Sequence, residues 1–229
     1  MAGNKEKLVI VGDGETAALA YDYFTEQSSY DVVGFSVEKA FLKNKSLFGL
    51  PVVAFEDITR HFDPEDCSAF VAVSYTQLNR LRSRLYQLAK AKGYTLATYI
   101  SPHAAIARNV GIGDNCFILE NVTVQRGAKI GNNVTLWSGT SIGHRTVVED
   151  NCFFASHVAV SGFCEVGEGS FLGVNSCLRD KVHVGKDCIV GAGAVVIGDT
   201  VGDQVYVGNP AKPLPNKTVE SFISGEKTI

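Results

Sequence analysis

From Ile106 to Val196 every sixth residue is apolar: Ile106, Ile112, Ile118, Val124, Ile130, Leu136, Ile142, Val148, Phe154, Val160, Val166, Leu172, Leu178, Val184, Val190 and Val196. The register never slips across these sixteen hits. Seven are followed directly by Gly, at 113, 131, 143, 167, 173, 185 and 191. Four residues after each hit stands a small or β-branched residue, from Val110 and Cys116 through Ala194 to Thr200. A period of six fits neither a 3.6-residue helix nor a two-residue alternation carried through loops of varied length. Sandwich strands would not hold it, because sandwich loops vary in length. It fits a solenoid of short strands and tight turns whose coils stack and share one core.

The remaining composition narrows the class. A chain of 229 residues, 45% hydrophobic, has core enough for one large domain or two modest ones. Its net charge of −3 argues against nucleic acid as the main partner. No apolar run approaches the ~20 residues that span a membrane, and the polar start, Met1 to Lys7, lacks the apolar stretch of a signal peptide. Of six Cys, four (Cys116, Cys152, Cys164 and Cys188) fall at the small inward position of the repeat, and no Cys-x-x-Cys occurs. This usage reads as buried free thiols in a cytoplasmic protein, with no metal site.

Residues 1–100 follow other rules. Leu8 to Val11 is a short continuous apolar run, as in a buried parallel strand. Gly12-Asp13-Gly14-Glu15-Thr16 follows, and then a helical stretch from Ala17 to Phe24. Further strands are expected at Asp31–Phe35, around Val52-Val53, at Ser68–Val73 and at Thr95–Ile100. An amphipathic helix is expected over Asn79–Lys92, with Leu81, Leu85, Leu88 and Ala89 inward and Arg80, Arg82 and Arg84 elsewhere. Alternating strand and helix predict a small α/β domain with a Rossmann-like parallel sheet. The Gly-x-Gly is only a fragment of the dinucleotide fingerprint, with Glu15 beside it, so NAD is not expected. Ligands of open α/β sheets bind at the carboxyl ends of the strands. That rule selects Gly12, Gly14, Glu15 and Thr16, with Ser36, Val37 and Ser74, as candidates for lining a ligand. Ser101-Pro102 marks the boundary with the repeat.

Within the repeat the informative residues are those that break the pattern. His144 follows Ile142-Gly143, Trp137 (the only Trp) lies seven residues before it, and Gly162 lies eighteen after it. If three hexads make a coil, Gly162 would stack directly above or below His144. His157 follows Ala155-Ser156. Glycine-rich segments come later, around Val174, at Gly191-Ala192-Gly193, and at Gly208-Asn209-Pro210-Ala211-Lys212.

An α/β region joined to an uninterrupted run of hexads and ending in Gly-Asn-Pro-Ala-Lys resembles the bacterial hexapeptide-repeat sugar O- and N-acyltransferases. It is most similar to the nucleotide-sugar N-acetyltransferases that modify 4-amino-4,6-dideoxy sugars for surface glycans. The resemblance implies a left-handed parallel β-helix of roughly five coils; sequence alone would point to a right-handed crossover. It implies three segments: an α/β nucleotide-sugar-binding domain over 1–100, a β-helix acyltransferase domain over 101–212, and a tail over 213–229. It implies a homotrimer with active sites between subunits, acetyl-CoA as co-substrate, and a UDP- or dTDP-linked amino sugar as acceptor. His144 takes the place of the catalytic base and Gly162 that of the backbone oxyanion donor. His157, Val174, Gly191, Ala192 and Gly193 take the coenzyme-lining places, and Asn209, Pro210, Ala211 and Lys212 lie towards its nucleotide end. Trp137 is a candidate against the hexose or acyl group. The pattern departs from the family at Arg145, where relatives often carry an acidic residue, and at Phe153, where many carry a second His. A carboxylate orienting His144 would be Asp150, Glu149 or Glu120, within the chain or from a neighbouring subunit.

The chemistry of these parts is coherent. A sugar ammonium must lose a proton before its nitrogen attacks a thioester, and a neutral imidazole can take it near neutral pH. A glycine N–H aimed at the thioester oxygen would stabilise the developing oxyanion. The alternatives are a sugar O-acetyltransferase of the sialic acid type, using the same His144 on a hydroxyl, and a non-enzymatic hexapeptide scaffold. A metal enzyme would need about three converging His, and His144, His157 and His183 occupy different hexad positions.

Overall fold

The computed structural model describes residues 5–224. The first four residues of the polar N-terminal stretch and the last five of the tail lie outside them. The chain divides into two compact units: the part up to Ser74 with Leu81–Tyr99, and Tyr75–Arg80 with the chain from Ile100 onward. The expected boundary near residue 100 therefore has an exception, since Tyr75–Arg80 groups with the repeat.

The first unit runs β1 (Glu6–Val11), α1 (Glu15–Gln27), β2 (Tyr30–Val37), β3 (Ser46–Leu47), β4 (Leu50–Ala54), α2 (Ile58–His61), β5 (Cys67–Val71) and α3 (Arg80–Ala91). The sheet order is β3-β4-β2-β1-β5. β1, β2, β4 and β5 are parallel, and β3 is an antiparallel edge. Leu8 to Val11 are all buried, which is why this strand reads as an unbroken apolar run. Two expectations are corrected. The stripe of α3 that is buried is Arg82, Leu85, Tyr86 and Ala89, while Leu88 is 41% exposed and Arg82 only 2%. The strand expected over Thr95–Ile100 shrinks, on this sheet, to a single bridge from Leu96 to Ala69.

The second unit is a three-sided parallel β-helix. Two-residue strands pair with strands eighteen residues on, as Thr123 does with Ser141 and Lys129 with Val147. Each coil is therefore three hexads. Every hexad position from Ile118 to Val196 is buried; Ile106 and Ile112, in the first coil, are partly buried. Burying one such side chain is worth roughly 1.5–3 kcal/mol, so the stack, not any single coil, carries the fold. The second inward position tolerates Thr, Ser and Cys because their O–H and S–H groups donate along the stack. Thr140, Thr146 and Ser170 Oγ donate to the carbonyls of Ala155, Ser161 and Gly185 at 2.9–3.1 Å, and Cys164 Sγ to Arg179 O at 3.1 Å.

From Asn115 to Gly193 the three corners turn through one residue of positive φ per hexad. Asn115, Asn121, Asn133, Asn151, Asn175 and Asp187 fill it, as do Gly127, Gly139, Gly169 and Gly193. Those residue types adopt the left-handed region at least cost. Arg145, His157, Phe163 and Lys181 are the exceptions. Three of them, Arg145, Phe163 and Lys181, share one corner in successive coils.

As far as Ser224, the tail is folded onto the second unit. Lys212–Thr218 forms a strand antiparallel to Gln204–Val207, and Val219–Ser224 is a short helix whose Val219 is fully buried. Pro213 and Pro215 read as tail residues because proline interrupts most strands, but an edge strand tolerates them. No helix of the described residues is long and apolar enough to cross a membrane.

Candidate active site

His144 and Gly162 are brought together. They occupy the same position of one corner in adjacent coils, and a methyl group built on Gly162 would lie 2.5 Å from His144 Cε1 and 2.9 Å from both ring nitrogens. The imidazole thus lies over the Gly162 backbone and remains exposed. Phe163 meets the ring edge-on at 4.9 Å between centroids.

The Gly162 amide is left uncapped. In the preceding coil, and at one place on another corner, the equivalent N–H is capped by a side chain nineteen residues back. Gln125 Oε1 accepts from the His144 N–H at 3.1 Å, and Glu149 Oε2 from the Glu168 N–H at 3.0 Å. For Gly162 that position is Gly143, which has no side chain, and a Cβ there would come within 2.6 Å of the Gly162 nitrogen. Among the described residues nothing accepts a hydrogen bond from the Gly162 amide. A ring that can take a proton and an uncapped N–H therefore stand side by side.

The three carboxylates proposed to orient His144 do not do so within the chain. Asp150 accepts from the Asn132 backbone and amide at 2.7–3.2 Å, Glu149 caps Glu168, and Glu120 accepts from Ser138 Oγ at 2.6 Å. All three occupy other corners. Trp137 also sits away from His144. It joins an aromatic row with Phe153, Phe171 and Tyr75, and its buried Nε1 has no hydrogen-bond partner among the described residues.

A cleft of about 560 Å³ opens beside His144, lined by Asn109, Arg126, Gly127, Arg145 and Phe163. Sequence reading passed over these residues except Arg145, although the eighteen-residue spacing that picked Gly162 also selects them.

The candidate coenzyme residues gather on a different corner of the same chain. His157 lies over Gly139 as His144 lies over Gly162. Asn175 N–H donates to Ser156 O at 3.1 Å, and Gly193 N–H to Val174 O at 2.8 Å, so the His157, Val174 and Ala192 turns are three consecutive layers. Gly191 and Gly193 flank Ala192 in the last of these. Val195 continues the line by donating to Gly208 O and accepting from Ala211 N–H, next to Asn209, Pro210 and Lys212. At ~4.8 Å per layer the row spans roughly 14 Å, a track for a thread-shaped ligand. Val174 and Ala192 are exposed along it. His183 points from a third place, a sheet face, and pairs with Glu165 at 3.2 Å. Among the described residues no group of three or more His, Cys, Asp or Glu is placed to hold a metal ion.

In the first unit the candidate nucleotide residues collect at the carboxyl ends of β1, β2 and β5. The strand order reverses between β1 and β5, the kind of crevice that takes ligands in open α/β sheets. Gly12, at φ +136°, is required there, since a Cβ would meet Ala72 O at 2.6 Å. Gly14 precedes α1 with open space around it, and Glu15 and Thr16 form its first turn. Ser36 is buried and bonds Val53 O at 3.3 Å, while Val37 and Ser74 are half-buried.

Residues 114–229 match the family model described as GMPPB C-terminal domain. The acetyltransferase domain of PglB from Neisseria gonorrhoeae FA1090, solved in complex with acetyl coenzyme A, has a TM-score of 0.82 at 26% identity, covering 92% of this chain and 100% of that one. PerB from Caulobacter crescentus, in complex with CoA and GDP-perosamine, has a TM-score of 0.81 at 27% identity, covering 91% and 97%. The acyl-[acyl-carrier-protein]–UDP-N-acetylglucosamine O-acyltransferase of Thermodesulfovibrio yellowstonii is 33% identical over 137 residues, 54% of this chain and 53% of that protein. The chain spans 53–61% of the length of the curated relatives it matches.

Proposed function

This chain belongs to the GMPPB C-terminal domain family, and on that premise we propose that it transfers an acetyl group from acetyl-CoA to the amino group of a nucleotide-linked 4-amino-4,6-dideoxy sugar. The observation that carries this reading is the exposed His144 ring over the uncapped Gly162 amide. His144 takes the proton of the sugar ammonium and frees the nitrogen to attack the thioester carbon. The Gly162 N–H receives the oxyanion as it develops. Collapse breaks the carbon–sulfur bond, the proton shed by the attacking nitrogen passes to the sulfur so that CoA leaves as its thiol, and the amide product remains. The track from His157 through Val174 and Ala192 to Lys212 holds the pantetheine and nucleotide of the coenzyme. Because that track and His144 occupy different corners of one chain, the reading includes a homotrimer in which neighbouring chains complete each site. The carboxyl ends of β1, β2 and β5 hold the nucleotide of the acceptor. Support comes from the two solved acetyltransferases above, one bound to acetyl coenzyme A and the other to CoA and a GDP-linked amino sugar.

The test is release of free CoA thiol, with acetyl-CoA offered beside UDP-, dTDP- and GDP-linked 4-amino-4,6-dideoxyhexoses. The matching 4-hydroxy sugars and free sialic acid run in parallel. Rapid release with one amino sugar is the expected result. Release only with a hydroxyl acceptor would move the protein to O-acetylation, and silence with every acceptor would overturn the reading.

A further inference from the structure

The cleft beside His144 is cationic. The same corner places Arg108, Arg126 and Arg145 in three successive coils, all exposed. Among the described residues neither Arg126 nor Arg145 makes an ion pair, and no carboxylate lines the cleft. Two like charges held together without a counterion repel, so their placement needs a compensating ligand or a wide solvent gap.

The backbone makes the same point independently. Arg145 and Phe163 adopt φ of 57° and 58° at turn positions that Asn, Asp or Gly fill in most other hexads. Bulky residues there cost of order 1–3 kcal/mol, and such strain concentrates where side chains are needed for function. The side chains themselves are organised. Arg145 Cγ lies 3.4 Å from where a Cβ on Gly127 would be, so its stem crosses the glycine beside Arg126. Its guanidinium carbon stands 5.6 Å from the centroid of Phe163, whose edge meets His144. One aromatic ring thus contacts both the guanidinium and the imidazole.

We propose that Arg126 and Arg145 seat an anionic group of the acceptor beside the reacting atom, with Phe163 positioning Arg145. The ligand chemistry is a phosphate or carboxylate oxyanion, and two sources supply it: the diphosphate of a sugar nucleotide, or the carboxylate of an acidic sugar. Guanidinium groups suit both, through paired N–H donors to two oxygens. The coenzyme is the poorer source, because its phosphates lie at the far end of the pantetheine arm from the thioester. The proposal rests on the acetyl-transfer reading for its placement beside His144.

Two measurements test it. In steady-state kinetics, Arg126→Ala and Arg145→Asn each raise the acceptor KM about tenfold or more while leaving the acetyl-CoA KM unchanged. Asn suits the backbone of position 145, so that variant keeps its fold. An unchanged acceptor KM, or two KM values rising together, overturns the proposal. The second measurement needs no turnover: inorganic diphosphate and glucuronate are titrated by calorimetry onto the wild-type protein and the double variant. Binding of one of them, weakened at least tenfold in the double variant, supports the seat and identifies the oxyanion. Equal binding to both proteins, or none to the wild type, overturns it. A wild-type protein that binds the anion through these arginines yet transfers no acetyl group would overturn the acetyl-transfer reading and leave the anion seat standing.

Discussion

The His144 ring lies against the backbone of Gly162 so closely that a single methyl group on that glycine would come within 2.5 Å of the ring. The contact is with an exposed, movable side chain, and the backbone of Gly162 is not in the left-handed region. Gly162→Ala is therefore expected to leave stability within about 0.5 kcal/mol while displacing the imidazole. A misplacement of that size costs about 10²-fold in rate. Thiol-release kinetics beside a urea denaturation curve check both halves; full activity would show that the ring position is not critical.

His144→Ala removes the base and nothing from the core. Acetyl transfer should fall by about 10²–10⁴-fold, with an unchanged circular-dichroism spectrum and melting point. Retention of most activity would remove His144 from the mechanism.

Phe163→Asn exchanges a 45% exposed aromatic at positive φ for a residue that the other turns favour. Stability should rise by roughly 1 kcal/mol, read as a higher urea midpoint, while the acceptor KM rises because Arg145 loses its ring. A lower midpoint would mean that the ring contacts outweigh the backbone strain.

Asn133 sits in a buried ladder: Asn115 Nδ2 donates to Asn133 Oδ1, and Asn133 Nδ2 to Asn151 Oδ1, each at 2.8 Å. Asn133→Gly keeps the turn, at φ 56° in the native chain, and removes both bonds, for a loss of about 1–3 kcal/mol. Asn133→Ala should lose about 1 kcal/mol more, because alanine resists that φ. Equal losses in chemical denaturation would assign the whole cost to the ladder.

Asp187 gives a pH signature. Burial pushes its carboxyl up from the ordinary range, against the opposing charges of Lys186 and Arg80. With the folded value above the unfolded one, its favourable share is complete below the unfolded value and is lost as pH rises through the folded one. Asp187→Asn should therefore stabilise the protein near neutral pH and give no gain near pH 3. Denaturation curves at the two pH values check the sign, since a gain at both would point to packing.

The six-residue period by itself pointed to a solenoid, and the family resemblance supplied three hexads per coil. A shape with three short strands per coil is the arrangement in which an apolar residue at every sixth place always faces one core, and the hydrophobic effect enforces that alternation locally. The pairing of His144 with Gly162 was legible for the same reason: a fixed eighteen-residue coil converts sequence distance into stacking. What the period does not encode is the partners that side chains at each corner take. The eighteen-residue spacing already puts Trp137, Glu120, Glu149, Asp150 and the His157 track on corners other than that of His144; the tertiary structure supplied the partners that engage Trp137 and the three carboxylates there. Hydrophobic patterning also failed for Arg82 and for the Lys212–Thr218 strand. In both, a polar or proline-bearing stretch is held by what packs and pairs around it, a context that exists only once the chain has folded.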